Sequence, residues 1–386
     1  MRYRHTADGL LEVSVVGVGT YSAAGVYGRR EPAALGNLLR AAYDRGVTFF
    51  DTAPAYGDAE DLVGDALKDI RKKILVSSKV PACLGDLSCS YETIVAGCDK
   101  SLKRLNTDYI DLYQLHFDDG NTPVEEVIRA FENLKDRGKI RAYGIGHVSQ
   151  ERVAEYVDKG SPSTLMGELN AVSRNYYLKM LSLLEESDTT YIGFSLTGRG
   201  LLTEDPLERR RLSPGDIRKI DAAFAGEKYR SALRIRDEFL NVGRDLGATA
   251  VQVAIAWAIS QRQVLTGLVG PTTTAHLDED IIGAEVELDS PVMAHLDAFL
   301  DGEAGRLAAV LADEVRSILA AEITDIQQGG SSLIYVMEGL ADLNIAGDED
   351  LVSKVGSVMK IMKSGEGDLA ALNAIRKDLL GYFETN

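Results

Sequence analysis

The nine-residue stretch FFDTAPAYG, residues 49–57, decides the fold of this chain. An apolar strand ends at Asp51, a proline turn follows, and Tyr56 comes next, directly before a glycine. In a sheet of parallel strands the carboxyl ends of the strands form one rim, and functional side chains collect there. Taken alone, this stretch is explained equally well as a catalytic strand end and as a buried strand closed by an ordinary polar turn. The neighbouring predicted strands distinguish the two interpretations.

Two later segments end in the same way. The apolar segment 74–79 finishes with Lys79, and the segment 109–116 finishes with His116. Three successive predicted strands therefore bring an acid with a phenol, an ammonium and an imidazole to one rim. Such a combination of groups is typical of a reactive site and is hard to explain as packing.

Length and composition limit the classes of protein. The 386 residues exceed what one compact core usually needs, so we expect one large domain with an addition. The net charge of -17 argues against binding to nucleic acid or to an anionic membrane surface. The first residues lack the apolar core of a signal peptide, and no apolar run is long enough to span a bilayer, so we expect a cytoplasmic protein. The cysteines, Cys83, Cys89 and Cys98, lack a metal-binding spacing, and we expect neither a disulfide framework nor a metal site.

Strand and helix patterns alternate along most of the chain. A short hairpin is predicted within residues 1–15, with its turn at Asp8-Gly9. Eight strands, each followed by a helix, are predicted at 13–18, 47–50, 74–79, 109–116, 140–146, 164–170, 190–195 and 264–269. Eight such units predict an α/β fold, the (β/α)8 or TIM barrel. An open doubly wound sheet is the alternative, and the absence of a GxGxxG after the first strand counts against it.

The composition changes after Pro291, the last proline. Residues 301–386 contain 7 Lys/Arg and 15 Asp/Glu, a net charge of 7 − 15 = −8. Apolar residues there recur at helical spacing, which predicts three or four helices with breaks at Gln327–Ser332 and Ser364–Gly367. We therefore divide the chain into a barrel, residues 1–300, and an acidic all-α extension, residues 301–386. The simplest interpretation gives the extension no chemistry of its own and packs it on itself, on the barrel or on another subunit, which would make a homo-oligomer.

The residues at the predicted rim suit proton transfer. A phenol has a pKa near ~10, and an adjacent ammonium lowers it by stabilising the phenolate. Lys79 would supply that cation, with Asp51 holding it in place, while His116 could donate a hydrogen bond to a substrate oxygen. The four groups suit delivery of a proton from Tyr56 to a carbonyl oxygen while another group attacks the carbon. No serine triad, metal cluster or activated thiol is evident in the sequence, so we expect hydride from a bound nicotinamide to be the attacker.

At this point the motifs resemble those of a known family. The segments GVGTY (17–21), DTAPAYG (51–57) and DLYQLH (111–116), with Lys79, resemble the aldo-keto reductases, NAD(P)H-dependent enzymes built on a (β/α)8 barrel. The resemblance extends from about residue 2 to about residue 290 and includes all four positions of the catalytic tetrad. It implies that Tyr56 is the general acid, with Asp51, Lys79 and His116 in the roles given above.

The same resemblance implies where a nicotinamide nucleotide binds. The segment 193–202 resembles the one that stacks an aromatic ring, here Phe194, on the nicotinamide, and the segment 270–280 resembles the one that binds the adenosine phosphate and adenine. Gly146 and His147 stand where the family has Ser-Asn, and Met166 where it has Gln, which leaves His147 and Asn170 as polar candidates for the carboxamide. The implied cofactor-binding residues are Gly19, Thr20, Tyr21, Asp51, His147, Asn170, Phe194, Ser195, Leu196, Gly198, Arg199, Gly200, Gly270, Thr272, His276, Glu279 and Asp280.

The choice of nucleotide depends on charge. The 2′-phosphate of NADP normally requires Lys or Arg, and the segment 270–280 contains neither. The sequence therefore predicts that NAD(H) binds at least as well as NADP(H), unless the arginines at 209–211 fold over the site.

Three functions remain open from the sequence. The first is an oxidoreductase that reduces an aldehyde or ketone, or oxidises the matching alcohol or sugar. The alternatives are a regulatory or assembly subunit that keeps the nucleotide as a ligand, and a nicotinamide-dependent lyase or epimerase. The intact tetrad favours chemistry. The loops that shape the substrate pocket carry no readable specificity.

Overall fold

The computed structural model describes residues 1–28, 31–81, 88–206, 208, 211–342, 354, 356–362 and 369–385. Its two compact units are Met1–Leu296 and Asp297–Asn386. Three features singled out in the sequence lie outside the described residues, namely Cys83, the pair Arg209-Arg210 and the predicted break Ser364–Gly367.

The first unit is a closed barrel of eight parallel strands, which confirms the predicted (β/α)8 fold. Going round the barrel, each strand pairs with the next in sequence, and the last one closes the circle against the first. The strands are almost wholly buried, because helices cover the outside of such a barrel and side chains fill its interior. In chain order they are β3 (Val16–Gly19), β4 (Phe49–Asp51), β5 (Leu75–Lys79), β6 (Ile110–Leu115), β7 (Ile140–Gly146), β8 (Thr164–Glu168), β9 (Thr190–Phe194) and β10 (Val264–Val269).

A two-stranded antiparallel hairpin, β1 (Tyr3–His5) and β2 (Glu12–Ser14), precedes the barrel as predicted. Leu11 and Val13 from this hairpin join Phe49 and Leu112 of the barrel in one buried apolar cluster. The predicted strand 13–18 is in fact two strands, because the chain changes its pairing partner at Val15, whose N–H donates to the carbonyl of Arg2.

Helices alternate with the barrel strands. Several begin at a side-chain cap, and in α8 Thr249 and Gln252 form a reciprocal capping box. Among the described residues, no helix has the length and apolar character needed to cross a membrane. The helices are α1 (Pro32–Asp44), α2 (Ala59–Leu67), α3 (Tyr91–Arg104), α4 (Val124–Asp136), α5 (Gln150–Lys159), α6 (Asn175–Glu185), α7 (Gly226–Leu246), α8 (Ala250–Ile259), α9 (Thr274–Gly283), α10 (Ser290–Ala320), α11 (Ile326–Asp342) and α12 (Leu369–Thr385).

The second unit is helical, as predicted, and has an apolar core of its own. The division between the units falls within α10, and residues 356–362 are also largely helical. The core combines side chains from α10, α11, α12 and the segment 356–362, namely Val315, Leu319, Leu333, Val336, Met337, Val358, Leu372 and Leu379.

One predicted break in this unit is wrong. The segment Gln327–Ser332 lies inside α11 and is helical throughout. Its two glycines allow close packing rather than a turn, since a Cβ on Gly329 would stand 2.1 Å from Ile323 and one on Gly330 would stand 2.4 Å from Met362.

Candidate active site

Neighbouring strands of the barrel deliver the four predicted catalytic residues to one rim. Asp51 is the last residue of β4, Lys79 the last of β5, and His116 directly follows β6. Tyr56 ends a single turn of 3-10 helix, Pro54–Tyr56, that begins three residues after β4. Because β4, β5 and β6 are adjacent in the barrel, their carboxyl ends place all four side chains on the wall of one cavity.

Lys79 is the centre of this group. Its Nζ donates a hydrogen bond of 2.6 Å to Asp51 Oδ2 and one of 3.0 Å to the carbonyl oxygen of Thr52, and it lies 4.9 Å from the ring centroid of Tyr56. Burial lowers the pKa of the Lys79 ammonium, but the attraction of Asp51 and Tyr56 outweighs it, so the pKa is raised. Lys79 is therefore a buried cation whose charge is maintained by its two neighbours.

The environment of Tyr56 differs from the prediction. Burial raises the pKa of the phenol, and the opposing attraction of Lys79 does not restore it to the ordinary value of 10.0. The sequence reasoning considered the ammonium and left out the cost of removing the hydroxyl from water, which favours the neutral form of an acid. Tyr56 consequently keeps its proton at neutral pH.

His116 stands beside Tyr56 as a neutral imidazole. The two ring centroids are 5.7 Å apart with the planes nearly perpendicular. Burial, with the charge of Lys79 and the neighbouring His147, lowers the pKa of His116 to about 2. Its Nδ1 is buried and has no hydrogen-bond partner among the described residues. A neutral imidazole donates one hydrogen bond and accepts one, and so can serve a substrate oxygen without carrying charge.

The tetrad opens into a cavity of about 1600 Å³ at the carboxyl ends of the strands. Most of the implied cofactor-binding residues line it, namely Gly19, Tyr21, Asp51, His147, Phe194, Ser195, Leu196, Arg199, Gly200, Gly270, Thr272, His276, Glu279 and Asp280. Thr20, Asn170 and Gly198 do not.

The three residues that lie outside the cavity wall have local roles. The hydroxyl of Thr20 donates to the backbone oxygen of Asp51 at 3.1 Å. The side-chain oxygen of Asn170 accepts the backbone N–H groups of Val172 and Ser173 at 3.0 and 2.8 Å, which forms a tight turn. Gly198 has a φ of +59° at the start of a 3-10 turn. The oxygen of Asn170 is therefore engaged in this turn, while its Nδ2 donates to Glu168 Oε1 at 3.3 Å.

His147 stands at the position where the family has Asn, so an imidazole replaces an amide side chain there. It directly follows β7 with a φ of 49°, a left-handed conformation that non-glycine residues seldom adopt. Its ring stacks on Phe117 with centroids 4.4 Å apart, and lies 5.7 Å from Phe194. Burial lowers the pKa of His147 to about 4, aided by the charge of Lys79. His147 is therefore a second neutral imidazole on the cavity wall.

Arg199 is held by two carboxylates. Its guanidinium lies 3.2 Å from Glu168, at the end of β8, and pairs with Asp221 in the long segment that precedes α7. Arg199 also has a positive φ of 56°. The pairing joins the strand rim to that segment and leaves the guanidinium largely neutralised.

The far end of the cavity surrounds the start of α9. Thr273 caps this helix through His276 N–H, and Thr272 Oγ1 lies 2.7 Å from His276 Nδ1. Glu279 accepts the hydroxyl of Thr249 at 2.9 Å. Burial, with Glu279 next to it, raises the pKa of the Asp280 carboxyl well above its usual value.

Several residues on the cavity wall were not predicted. They include Tyr27, Phe117, Arg218 and Asp221, which the folded chain brings from three separate loops. Phe117 adjoins His116 and could have been inferred from that position. No periodic or spacing signal marks the other three.

A cluster of possible metal ligands lies elsewhere, at Cys89, Asp118 and Asp119. The atoms that would bind a metal already form hydrogen bonds within the protein. Asp118 receives two bonds from Arg152, Asp119 accepts the N–H of Cys89 at 2.8 Å, and the Cys89 thiol donates to the carbonyl of Phe117. Burial also raises the pKa of this thiol to about 12, which opposes the thiolate that a metal requires.

Comparison with known proteins agrees with this architecture. The Aldo/keto reductase family profile matches residues 15–301. Aldo-keto reductase YhdN of Bacillus subtilis (strain 168) is 30% identical over 271 residues, covering 68% of this chain and 82% of that protein. A relative from Arabidopsis thaliana, named a probable voltage-gated potassium channel subunit beta, is 28% identical over 308 residues, covering 74% of this chain and 92% of its own length.

A solved structure shows the same fold. The glycerol dehydrogenase AKR11B4 from Gluconobacter oxydans superposes with a TM-score of 0.68 at 25% identity, covering 77% of this chain and 93% of its own. With the closed eight-stranded barrel and a family match over most of the chain, this protein belongs to the aldo/keto reductase family and is an NAD(P)-dependent oxidoreductase.

Proposed function

We propose that this protein reduces an aldehyde or ketone to the alcohol, with Tyr56 as the proton donor. The observation that carries the proposal is the buried ammonium of Lys79, which bonds to Asp51 at 2.6 Å and lies 4.9 Å from the Tyr56 ring. The carboxylate of Asp51 offsets the cost of burying this cation, and the cation is placed to stabilise a phenolate that forms on Tyr56 during the reaction.

The cavity fits a nicotinamide nucleotide. Phe194 and His147 offer ring faces at the catalytic end, and the N-terminus of α9 offers a place for phosphate at the other end. When bound, the reduced nicotinamide supplies a hydride to the carbonyl carbon.

The protein supplies the proton and the surrounding charges. Tyr56 transfers its hydroxyl proton to the carbonyl oxygen as the new C–H bond forms, so the carbonyl gains one hydride and one proton and becomes an alcohol. The ammonium of Lys79 then faces the phenolate, and neutral His116 donates a hydrogen bond to the same oxygen. In the reverse direction the phenolate would accept the proton of the alcohol. The raised pKa of Tyr56 means that the protonated form, which reduction requires, predominates at neutral pH.

We also propose that NAD(H) binds at least as well as NADP(H). Among the described residues of the cavity wall, three are Lys or Arg and six are Asp or Glu. Asp278, near the start of α9, already pairs with Arg45. Arg211, from the predicted arginine loop, pairs with Asp205 at 3.2 Å. A cation that is already paired with a carboxylate attracts the additional charge of a 2′-phosphate less strongly.

The change Tyr56→Phe tests the assignment of the acid. We expect turnover to fall by about 10²-fold or more, because the proton donor is lost, while nucleotide affinity stays nearly unchanged. Tyr109→Phe, which removes a hydroxyl away from the cavity, is the matched control. Wild-type turnover in Tyr56→Phe, with chemistry shown to be rate-limiting, would refute the assignment.

A second candidate function is a regulatory subunit that retains the nucleotide as a ligand. It is favoured by the Arabidopsis relative, whose name describes a probable channel subunit. In that case the acidic helical extension would be the docking surface, or the contact between copies. Nucleotide binding without turnover of any carbonyl substrate would support this candidate over the first.

A further inference from the structure

Polar side chains lie inside the barrel, one layer below the tetrad. Ser77 precedes Lys79 by two residues, and Gln114 precedes His116 by two residues, so the alternation along β5 and β6 turns both toward the barrel interior. Ser77 is 0% exposed and Gln114 is 1% exposed. The interior of such a barrel is usually filled by branched apolar side chains, because a buried polar group costs free energy unless it is hydrogen-bonded. These two polar residues therefore require a reason beyond packing.

Their hydrogen bonds lead to Asp51. Gln114 Nε2 donates to Ser77 Oγ at 2.7 Å, and Ser77 Oγ donates to Asp51 Oδ1 at 2.9 Å. The other carboxylate oxygen, Oδ2, accepts the hydrogen bond from Lys79 Nζ. Each oxygen of Asp51 thus has its own donor, and the carboxylate is fixed from two directions. Its negative charge is shared between an ammonium and a hydroxyl.

Gly144, on the neighbouring strand β7, provides space for the side chain of Gln114. A Cβ at this position would stand 3.2 Å from Gln114 Oε1 and 2.2 Å from Thr164 Oγ1. Neither of these two oxygens has a hydrogen-bond partner among the described residues. A buried amide with an unpaired oxygen contributes little to stability, and an apolar side chain of similar size would avoid its cost. The contribution of Gln114 is therefore the hydrogen bond that it donates to Ser77.

From this chain of hydrogen bonds we propose that Ser77 and Gln114 are positioning residues for Asp51. They hold its carboxylate in place and take up part of its charge, so that the ammonium of Lys79 remains available to Tyr56. The inference rests on the proposed role of Tyr56 as the proton donor. Without the hydroxyl of Ser77, Asp51 would attract the ammonium more strongly and would repel a phenolate more strongly. Tyr56 would then be a weaker acid, and proton transfer from it would be slower.

Other titratable groups near Tyr56 do not obscure this effect. The groups that surround it are Lys79, Asp51, Tyr21, His116 and His147. The two imidazoles, with pKa values lowered to about 2 for His116 and about 4 for His147, are neutral at alkaline pH. The ring of Tyr21 lies 5.1 Å from that of Tyr56, so the ionisation of these two phenols has to be observed separately.

Ser77→Ala tests the proposal, and the adjacent Ser78 offers a closely matched control. Both serines are on β5 and are 0% exposed, and the hydroxyl of Ser78 donates to a buried carboxylate of its own, Glu60 Oε1, at 2.5 Å. Glu60 is also paired with a cation, Arg104. Ser78→Ala therefore removes the same kind of hydrogen bond from the same strand without touching the tetrad.

The ionisation of Tyr56 is measured by NMR of protein whose tyrosines carry carbon-13 at Cζ, because this carbon shifts strongly when the phenol loses its proton. Each tyrosine gives its own resonance, and that of Tyr56 is assigned by its absence in Tyr56→Phe. We expect the titration midpoint of Tyr56 to rise by about 0.5 pH unit in Ser77→Ala and to stay unchanged in Ser78→Ala. This measurement requires neither a substrate nor turnover.

Steady-state kinetics of the same variants use para-nitrobenzaldehyde and NADH as probes. In Ser77→Ala, kcat should fall about fivefold while the KM for the aldehyde and the Kd for NADH stay nearly constant, because the change alters the position of Asp51 and not the binding of either ligand. Ser77→Thr, which keeps the hydroxyl, should restore most of kcat. Gln114→Leu should lower kcat about twofold without lowering the unfolding temperature, since it removes an amide oxygen that is unpaired among the described residues.

The outcomes separate this inference from the proposed function. An unchanged midpoint for Tyr56 in Ser77→Ala, or an equal shift in Ser78→Ala, would overturn the positioning role whatever the turnover. A larger loss of kcat in Gln114→Leu than in Ser77→Ala would contradict the order of the chain. Wild-type protein that binds NADH and does not reduce the aldehyde would count against carbonyl reduction, while a raised midpoint in Ser77→Ala would still support the positioning of Asp51.

Discussion

The two ends of the cavity are built on different physical principles. At the catalytic end, Asp51 and Lys79 are almost fully buried and every charge has a partner within hydrogen-bond distance. At the far end, Thr272 and His276 are exposed, and burial with the charge of the adjacent Glu279 raises the pKa of Asp280. The catalytic end thus keeps its charged groups in fixed positions. The far end presents a helix N-terminus, and a few exposed side chains there determine which nucleotide it prefers.

This difference determines how each end responds to mutation. A buried charge pair that loses one member leaves the other without water or partner, which costs about 3–5 kcal/mol. An exposed helix terminus tolerates substitution, because water replaces whatever contact is lost. A single substitution at the catalytic end should therefore abolish most of the activity, whereas one at the far end should shift the preference between nucleotides by a small factor.

The largest expected effect is that of Lys79→Met. Turnover should fall by about 10³-fold, since the phenolate of Tyr56 loses its cation and Asp51 loses its partner. Arg104→Met is the matched control, because it removes the cation paired with another buried carboxylate, Glu60. Steady-state kinetics with thermal unfolding separate the two effects, and an equal loss of activity in both variants would mean that Lys79 acts only through stability.

The next effect concerns the far end. Thr272→Arg should raise the affinity for NADPH about tenfold and leave that for NADH nearly constant, because an arginine at the start of α9 can pair with the 2′-phosphate. Both nucleotides are titrated at one salt concentration by fluorescence. A clear preference of the unmodified protein for NADPH would contradict the proposed NAD(H) preference and direct attention to Arg209 and Arg210.

The pH dependence of the reduction rate tests whether the groups at the catalytic end are as buried as the structure shows. Reduction requires protonated Tyr56, whose pKa is raised above 10.0, so the rate should hold through neutral pH and fall only as alkaline pH approaches that value. His116 and His147, with pKa values lowered to about 2 and about 4, stay neutral over the same range. The kcat/KM for reduction should therefore be flat across pH 6.5, the ordinary pKa of histidine. A titration step there would show that one of these imidazoles is more hydrated than its burial implies.

The smallest expected effect comes from the helical extension. A variant truncated after Asp301 should keep the barrel's secondary structure and its nucleotide affinity within about twofold, because the apolar core of the extension is formed by its own helices. Light scattering of both proteins shows whether the extension joins copies of the chain. Complete unfolding of the truncated variant would contradict this prediction and show that the barrel needs the extension in order to fold.

The sequence alone predicted the barrel and the positions of the tetrad. Strand ends are readable because a largely apolar segment ends at a residue with a polar or charged side chain, as at Asp51, Lys79 and His116. Strand 140–146 and strand 264–269 were predicted with the observed bounds. Loops lack such periodicity, so Tyr27 and Arg218 were missed, and the glycines at 329 and 330 were taken for a break although they permit close helix packing.

The balance of opposing physical effects at each site depends on the folded structure and could not be predicted from the sequence. The sequence predicted an ammonium beside Tyr56, but the depth of burial determines whether the pKa of the phenol falls or rises. It offered Asn170 as a polar group, and only the folded chain shows that the side-chain oxygen accepts backbone N–H groups of a local turn. The ring contacts of Tyr21 with Tyr56 and of Phe117 with His147 join separate segments of the chain, so only the closed barrel brings these residues together. Local patterns record which groups a strand end carries, whereas their hydration and partners depend on residues distant in the chain.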